Sequence, residues 1–139
     1  IRSEKEVFRG VDIGMDADEV KSAEKAAPAY EEPGAELFYS YQLNQADSFT
    51  VSYSFDEKGL YEILCVIYIR NAETEVGNSL SNDILVHFTN HFGHPKEEHD
   101  GFKNWVFSNK YSDEIELSLQ DVSDEQQYKL SISFYDFDY

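Results

Sequence analysis

The stretch LYEILCVIYIR, residues 60–70, decides the fold of this chain. Residues 63–69 form an unbroken apolar run that is rich in β-branched side chains. The run is too short to cross a membrane, and the turn-forming sequences DEKG and NAETEVGN flank it. Because both faces of the run are apolar, we predict a central strand that is covered on both sides.

The rest of the chain predicts two helices and six further strands. A capping box of Asp16 and Glu19 starts a helix over residues 17–26, which ends before Pro28. A second helix over 79–92 carries an apolar stripe at the helical period and stops at Gly93. Alternating apolar and polar residues predict strands over 6–11, 35–42, 49–55, 102–108, 113–121 and 128–135. Residues 28–34 and 96–101 are predicted to be loops.

These elements predict an α+β fold, with an antiparallel sheet of six to seven strands and two helices on one face. The length of 139 residues fits a single domain. A helix followed by a three-stranded meander occurs twice, which indicates a possible tandem repeat of residues 6–70 and 71–139. The two halves share order and pattern, with negligible residue identity.

The net charge of −17 comes from 28 acidic residues against 11 basic ones. This charge repels nucleic-acid phosphates and anionic membrane surfaces, so we predict neither a nucleic-acid partner nor membrane insertion. It favours a protein partner that is basic. The single cysteine, Cys65, excludes an internal disulfide, and its place in the apolar run predicts a core side chain.

Two short stretches resemble a known group of proteins. Residues 8–20, FRGVDIGMDADEV, place a Gly-Met pair before a polar cap and a Glu-Val pair after it, and residues 92–95 read FGHP. In the first stretch the matching residues are Gly14, Met15, Asp16, Glu19 and Val20. The pattern is similar to β-lactamase-inhibitor protein and to the small lipoproteins of outer-membrane assembly. The resemblance implies tandem α/β units that build one antiparallel sheet with helices on one face, and a role in binding other proteins.

All four histidines fall within HFTNHFGHPKEEH, residues 87–99. His87 and His91 are four residues apart on one helical face, and His99 or Glu98 could complete a zinc site. A solvated helix face near a C-terminus explains the same pattern, so we favour no metal. The candidates, if a metal is held, are His87, His91 and His99.

No known catalytic or cofactor motif is present in the sequence. It contains neither a Gly-x-Ser-x-Gly nucleophile elbow, nor a phosphate-binding loop, nor a dinucleotide fingerprint. We therefore predict a protein that is not an enzyme and that uses no cofactor. A small hydrolase with paired carboxylates in a cleft between the halves stays open as an alternative.

The surplus of aromatic residues provides the candidate binding residues. Tyr39, Tyr41 and Tyr53 alternate on neighbouring predicted strands, so they share one face of the sheet. With Tyr61 and Trp105 they form the predicted aromatic site, because tyrosine and tryptophan are enriched at binding hot spots. If that face is covered, the same residues belong to the core.

We therefore predict a non-enzymatic binding or inhibitor-like module that presents an acidic, aromatic sheet face to a basic protein. An alternative is an acidic immunity-type protein that blocks a basic toxin or nuclease. The chain opens with Ile1 rather than Met and has no apolar h-region, as either a removed signal peptide or a trimmed start would leave it. Export to the periplasm or cell surface is expected slightly over a cytoplasmic location.

Moderate salt should raise the melting temperature of the protein. Repulsion among the 28 acidic residues opposes the compact state, and dissolved ions screen that repulsion. Thermal melts between low and moderate sodium chloride measure the effect. A melting temperature that stays flat or falls would show that favourable ion pairs dominate the electrostatics.

Overall fold

The computed structural model describes residues 8–42, 47–70, 74–99, 102–108, 114–123 and 127–136. Within these residues the chain forms two helices, α1 and α2, and the strands β1 to β8. Their bounds in chain order are α1 Ala17–Glu24, β1 Tyr30–Glu32, β2 Glu36–Gln42, β3 Ser48–Asp56, β4 Gly59–Arg70, α2 Thr74–Phe92, β5 Glu97–His99, β6 Phe102–Ser108, β7 Glu114–Asp121 and β8 Gln127–Asp136.

All eight strands belong to one antiparallel sheet in the order β1-β2-β3-β4-β8-β7-β6-β5. This confirms the α+β class and the single antiparallel sheet, whereas the predicted count of six to seven strands is wrong. The strands missed in the predicted loops are β1 and β5, at the two edges of the sheet. Each is three residues long and exposed throughout, so neither shows the alternation that reveals a half-buried strand.

The predicted edge strand over residues 6–11 is wrong in its described part. Phe8 and Val11 close a tight turn through two backbone hydrogen bonds of 3.0 and 2.7 Å. The residues between them, Arg9 and Gly10, both have positive φ angles, of 53° and 79°. A strand cannot contain two such residues, and this pair is typical of a type I′ turn. Residues 6 and 7 lie outside the described part of the chain.

Three of the four helix ends lie within two residues of their predicted positions, and the start of α2 does not. The capping box of α1 is confirmed, because the side chains of Asp16 and Glu19 each accept the other's backbone N–H, at 2.9 and 3.1 Å. α1 ends at Glu24 instead of residue 26, because Lys25 takes the left-handed conformation and its N–H donates to the carbonyl of Lys21. α2 begins at Thr74, five residues before the predicted start at 79.

β4 is central, as predicted, because it pairs with β3 on one side and β8 on the other. A row of register partners across the sheet shows where the helices lie. That row is Tyr53, Ile63, Phe134, Leu117 and Trp105. Glu24 of α1 contacts Tyr53, and Phe88 of α2 contacts Phe134 and Trp105.

Both helices therefore cover the same face, which we call the inner face. The prediction that β4 is covered on both sides is wrong for the described helices. The inner face holds the hydrophobic core, and the side chains that alternate with it along each strand point to the opposite, outer face.

The topology is the same in both halves of the chain. Each half contributes one helix followed by four strands, and the last strands of the halves, β4 and β8, lie side by side in the middle of the sheet. A duplication would produce this arrangement. The tandem repeat itself stays a prediction, since order and topology are the features that the halves share.

The segment before α1 packs against the β3–β4 hairpin. The N–H of Gly14 donates to the carbonyl of Leu60, and the N–H of Leu60 donates to the carbonyl of Met15, both at 2.8 Å. Gly59 lies so close that a Cβ there would stand 2.6 Å from the Gly14 carbonyl oxygen. The hairpin therefore needs glycine at this position both for its φ of 107° and for close backbone contact.

Replacing Phe88 by alanine should cost about 3–5 kcal/mol of unfolding free energy, the range for a buried phenylalanine. The ring is 8% exposed and packs edge-on against Trp105, with 5.6 Å between ring centroids. Denaturant unfolding measures the loss. Val86→Ala is the matched control on the same helix, because Val86 is 50% exposed and its loss should cost about 0.5 kcal/mol or less. Equal losses for the two variants would contradict the placement of α2.

Candidate binding surface

The predicted aromatic site residues are mostly buried on the inner face. Tyr39, Tyr53 and Trp105 are 1%, 0% and 1% exposed, and Tyr41 is partly buried. Their predicted exposure is corrected, because α1 and α2 cover the face that they share. Tyr61 is partly exposed and has no register partner on β3, since the register shifts there by one residue.

Two of these tyrosines meet a buried glutamate. The side chain of Glu24 at the end of α1 is fully buried, and each of its carboxylate oxygens accepts two hydrogen bonds. Oε1 accepts from Arg9 Nη2 at 3.0 Å and from the Tyr41 hydroxyl at 2.5 Å. Oε2 accepts from Arg9 Nε at 3.2 Å and from the Tyr53 hydroxyl. We call these four residues the Glu24 cluster.

Arg9 of the cluster is held from a second direction. Its guanidinium lies 5.1 Å from the ring centre of Tyr41 and 5.6 Å from that of Phe49, within the range of cation–π attraction. The cluster thus joins the turn at residue 9, helix α1 and strands β2 and β3 through charged and aromatic contacts.

The environment of Glu24 favours its charged form. Burial by itself would raise the pKa of this carboxyl, but hydrogen bonds from Arg9, Tyr41 and Tyr53 outweigh burial and hold the pKa below its ordinary value. The same contact raises the pKa of the Tyr41 hydroxyl to about 12, after the larger effect of burial. With both oxygens occupied by donors of the chain, Glu24 is a structural anion rather than a catalytic base.

Sequence reasoning missed Glu24, although one signal was present. Glu24 follows Val20 by four residues, so the two lie on the same stripe of α1, and Val20 is fully buried. A glutamate on a core-facing stripe needs a buried partner. That partner, Arg9, lies fifteen residues earlier in the chain, in a segment predicted as a strand.

The outer face carries an apolar strip along β4. Leu64, Val66 and Tyr68 alternate with Ile63, Cys65 and Ile67 of the inner face and are all partly exposed. All but one of the strip's register partners on β3 and β8 have short polar side chains; these are Ser48, Thr50, Ser52, Ser131 and Ser133. The exception is Lys129, the partner of Tyr68 on β8. Leu64 and Val66 therefore have short side chains beside them on both neighbouring strands.

A row of carboxylates crosses the outer face at one end of this strip. Glu36, Glu62 and Glu116 lie on β2, β4 and β7 in one register row, with Ser54 on β3 and Tyr135 on β8 between them. We call the three glutamates the acidic row. They occupy alternate strands, so neighbouring members are about 9–10 Å apart across the sheet.

The acidic row is tied into the sheet at the β7 end. Asn104 Nδ2 donates to Glu116 Oε2 at 2.9 Å and to Glu97 Oε1 at 3.2 Å. Burial, and then a hydrogen bond with Glu116, raises the pKa of Tyr135 to about 12. A basic residue, Lys129, lies on the same face towards the other end of the strip. The outer face therefore carries carboxylates at one end, apolar side chains along its centre and a single lysine, Lys129, at the far end.

The fold places one of the three histidine candidates on a different element from the other two. His87 and His91 are exposed on α2 with parallel rings whose centroids are 6.2 Å apart, whereas His99 is exposed on the edge strand β5. Within the described ranges, His, Cys, Asp and Glu do not gather in any group of three or more that could hold a metal ion.

Comparison with protein-family models, with curated proteins and with solved structures found no significant match. The resemblance to β-lactamase-inhibitor protein and the outer-membrane-assembly lipoproteins therefore stays a prediction. Neither described helix is long and apolar enough to span a membrane.

Glu24→Gln should destabilise the protein at neutral pH by about 2 kcal/mol, because Arg9 loses its counter-charge while Gln offers one acceptor to several donors. The pKa of Glu24 is lowered on folding, so its contribution is present above the unfolded value near 4.3 and is lost as pH falls through the folded value. Denaturant unfolding of both proteins between about pH 3 and pH 7 should show the difference shrinking below about pH 4. A difference that is constant with pH would contradict the ionised cluster.

Proposed function

We propose that this protein is a non-enzymatic binding module that holds a basic protein against its outer sheet face. The observation that carries the proposal is the combination, on a face that neither helix covers, of the apolar strip on β4 with the acidic row. The aromatic residues first predicted for this role are replaced by Leu64, Val66, Tyr68 and Tyr135.

The apolar strip supplies the contact area. It lies on the central strand, where hydrogen bonds to β3 and β8 fix the backbone on both sides. A backbone that is already fixed needs no further ordering when a partner covers it, so more of the hydrophobic gain remains as affinity. Because the neighbours of Leu64 and Val66 are serines and a threonine, a partner can contact this part of the strip from both sides.

The acidic row supplies selection by charge. Glu36, Glu62 and Glu116 stand on one edge of the contact area, and the whole chain carries −17. A negative surface accelerates the approach of a basic partner and repels an acidic one. The spacing of about 9–10 Å lets each glutamate meet a separate lysine or arginine.

The two ends of the face differ, which gives the partner an orientation. The acidic row lies where β3 turns into β4, and Lys129 pairs in register with Tyr68 at the opposite end of the strip. A partner whose lysines and arginines lie to one side of an apolar centre matches this layout in one orientation.

The acidic row also supports the second candidate, an immunity-type protein that blocks a basic toxin or nuclease. The two functions use the same face and differ in the share of binding energy that charge provides. Binding that weakens steeply with salt favours the inhibitor of a nucleic-acid enzyme, since such a target binds phosphates. A modest dependence of binding on salt favours a module that holds its partner mainly through the apolar strip.

The hydrolase alternative receives less support from the fold. The halves join through nine register pairs between β4 and β8, so the middle of the molecule is continuous sheet. The buried carboxylate Glu24 is fully engaged with Arg9 and two tyrosines. Paired catalytic carboxylates need a free oxygen that can reach a substrate or a water.

Val66→Arg should abolish partner capture, because it places a long cation in the middle of the strip. Val86→Arg is the matched control, since it makes the same substitution on the exposed side of α2. Each protein is immobilised and exposed to an extract of the cells that produce it, and the retained proteins are quantified by mass spectrometry. We expect a basic protein to be retained by the wild type and by Val86→Arg and to be lost with Val66→Arg.

Circular dichroism and melting temperature must show that Val66→Arg is folded. Glu62→Gln, which leaves the strip intact, should weaken capture and reduce its salt dependence. An identical set of retained proteins for the wild type and both arginine variants would refute the outer face as the binding surface.

A further inference from the structure

Two imidazoles project from the exposed side of α2, on successive turns of the helix. His87 and His91 are exposed, four residues apart, with ring planes at 3° and centroids 6.2 Å apart. Residues at this spacing are neighbours on one helix face. We propose that His87 and His91 form a two-histidine chelating site for a divalent transition-metal ion of the Cu²⁺ and Zn²⁺ class, with water in the remaining positions.

The ligand chemistry selects this class of ion. Neutral imidazole nitrogen suits copper, nickel and zinc, whereas magnesium and calcium require oxygen ligands. The order of affinity for nitrogen ligands places Cu²⁺ above Zn²⁺. The two side chains therefore offer a bidentate site in which Cu²⁺ binds more tightly than Zn²⁺ and Mg²⁺ does not compete.

The geometry requires one local adjustment. A metal bonds each nitrogen at about 2.0–2.1 Å, so the two donor nitrogens must come within about 4 Å of each other. The rings start parallel and are exposed, so rotation about their side-chain bonds brings them together without moving the helix backbone. The His91 ring also packs edge-on against Phe92 at 4.6 Å between centroids, which limits its other orientations.

The surroundings favour a cation. The net charge of −17 raises the local concentration of divalent ions at the surface. Asp83 is exposed one turn before His87, so it competes as an alternative partner for a metal on His87. Its distance of two turns from His91 keeps it out of a site made by both histidines.

Two protein ligands predict a labile ion rather than a structural one. The ion should exchange with buffer and leave during dialysis, which distinguishes this site from a closed four-ligand zinc site. The site lies on α2, over the inner face, so it is on the opposite side of the sheet from the proposed binding surface. Its test is therefore independent of the proposed function.

The experiment is a calorimetric titration of the dialysed 139-residue protein with CuCl₂ and with ZnCl₂ at pH 7.5. The wild type should bind one equivalent, with Cu²⁺ the tighter ion. His87→Gln and His91→Gln should each weaken binding about tenfold or more, because the second contact of a chelate forms at a high effective concentration. His99→Gln and Asp83→Asn, the control variants, should bind as the wild type does.

A second measurement uses melting temperature with and without the metal. Binding to the native helix stabilises the fold, so Cu²⁺ should raise the melting temperature of the wild type and of the two control variants, but not of the two histidine variants. Equal affinity in wild type and His87→Gln, or a loss with His99→Gln as large as with His91→Gln, would overturn the site. Loss with Asp83→Asn and retention with His91→Gln would assign the metal to Asp83 and His87 and would equally overturn the proposal.

Discussion

The pairing of β4 with β8 is the interaction on which the rest of the structure depends. These strands align over nine register pairs. Each is the last strand of its half, and each half consists of one helix and four strands. Joining the halves side by side creates an inner face too wide for one helix to cover. α1 and α2 therefore cover different parts of it, α1 near β2 and β3 and α2 near β4 and β8. Neither described helix covers the outer face of the same two central strands.

The short helix α1 compensates for its small apolar side with a charged contact. Its fully buried residues are few, and an eight-residue helix buries too little surface to be fixed by apolar packing alone. Glu24 adds four hydrogen bonds from Arg9, Tyr41 and Tyr53, which connect the helix to two strands and to the preceding turn. The long helix α2 uses aromatic packing instead, through Phe88 and Phe92 on Trp105 and Phe107. Two different interactions thus achieve the same attachment in the two halves.

The sequence predicted local elements better than their arrangement, for physical reasons that particular residues make plain. Phe49, Val51, Tyr53 and Phe55 alternate, and that period correctly indicated β3 and the residues that share its inner face. The same alternation correctly placed Tyr39, Tyr41 and Tyr53 on one face of the sheet. Alternation does not indicate which face the helices cover, so residues of the core were predicted as a binding site. The edge strands β1 and β5 were missed because they are short and exposed. Glu24 was missed because its partner is remote in sequence and because a glutamate in a helix ordinarily faces solvent.

The acidic composition opposes self-association through the outer face, which neither described helix covers. A sheet face with an apolar strip along its central strand could stack against the same face of a second copy. In a pair whose two strips run in the same direction the acidic rows of the two copies would face each other, and in every arrangement two chains that each carry −17 are brought together. Repulsion between like charges opposes that association, and the same charges attract a basic protein. One set of glutamates can therefore keep Leu64, Val66 and Tyr68 accessible and determine what covers them.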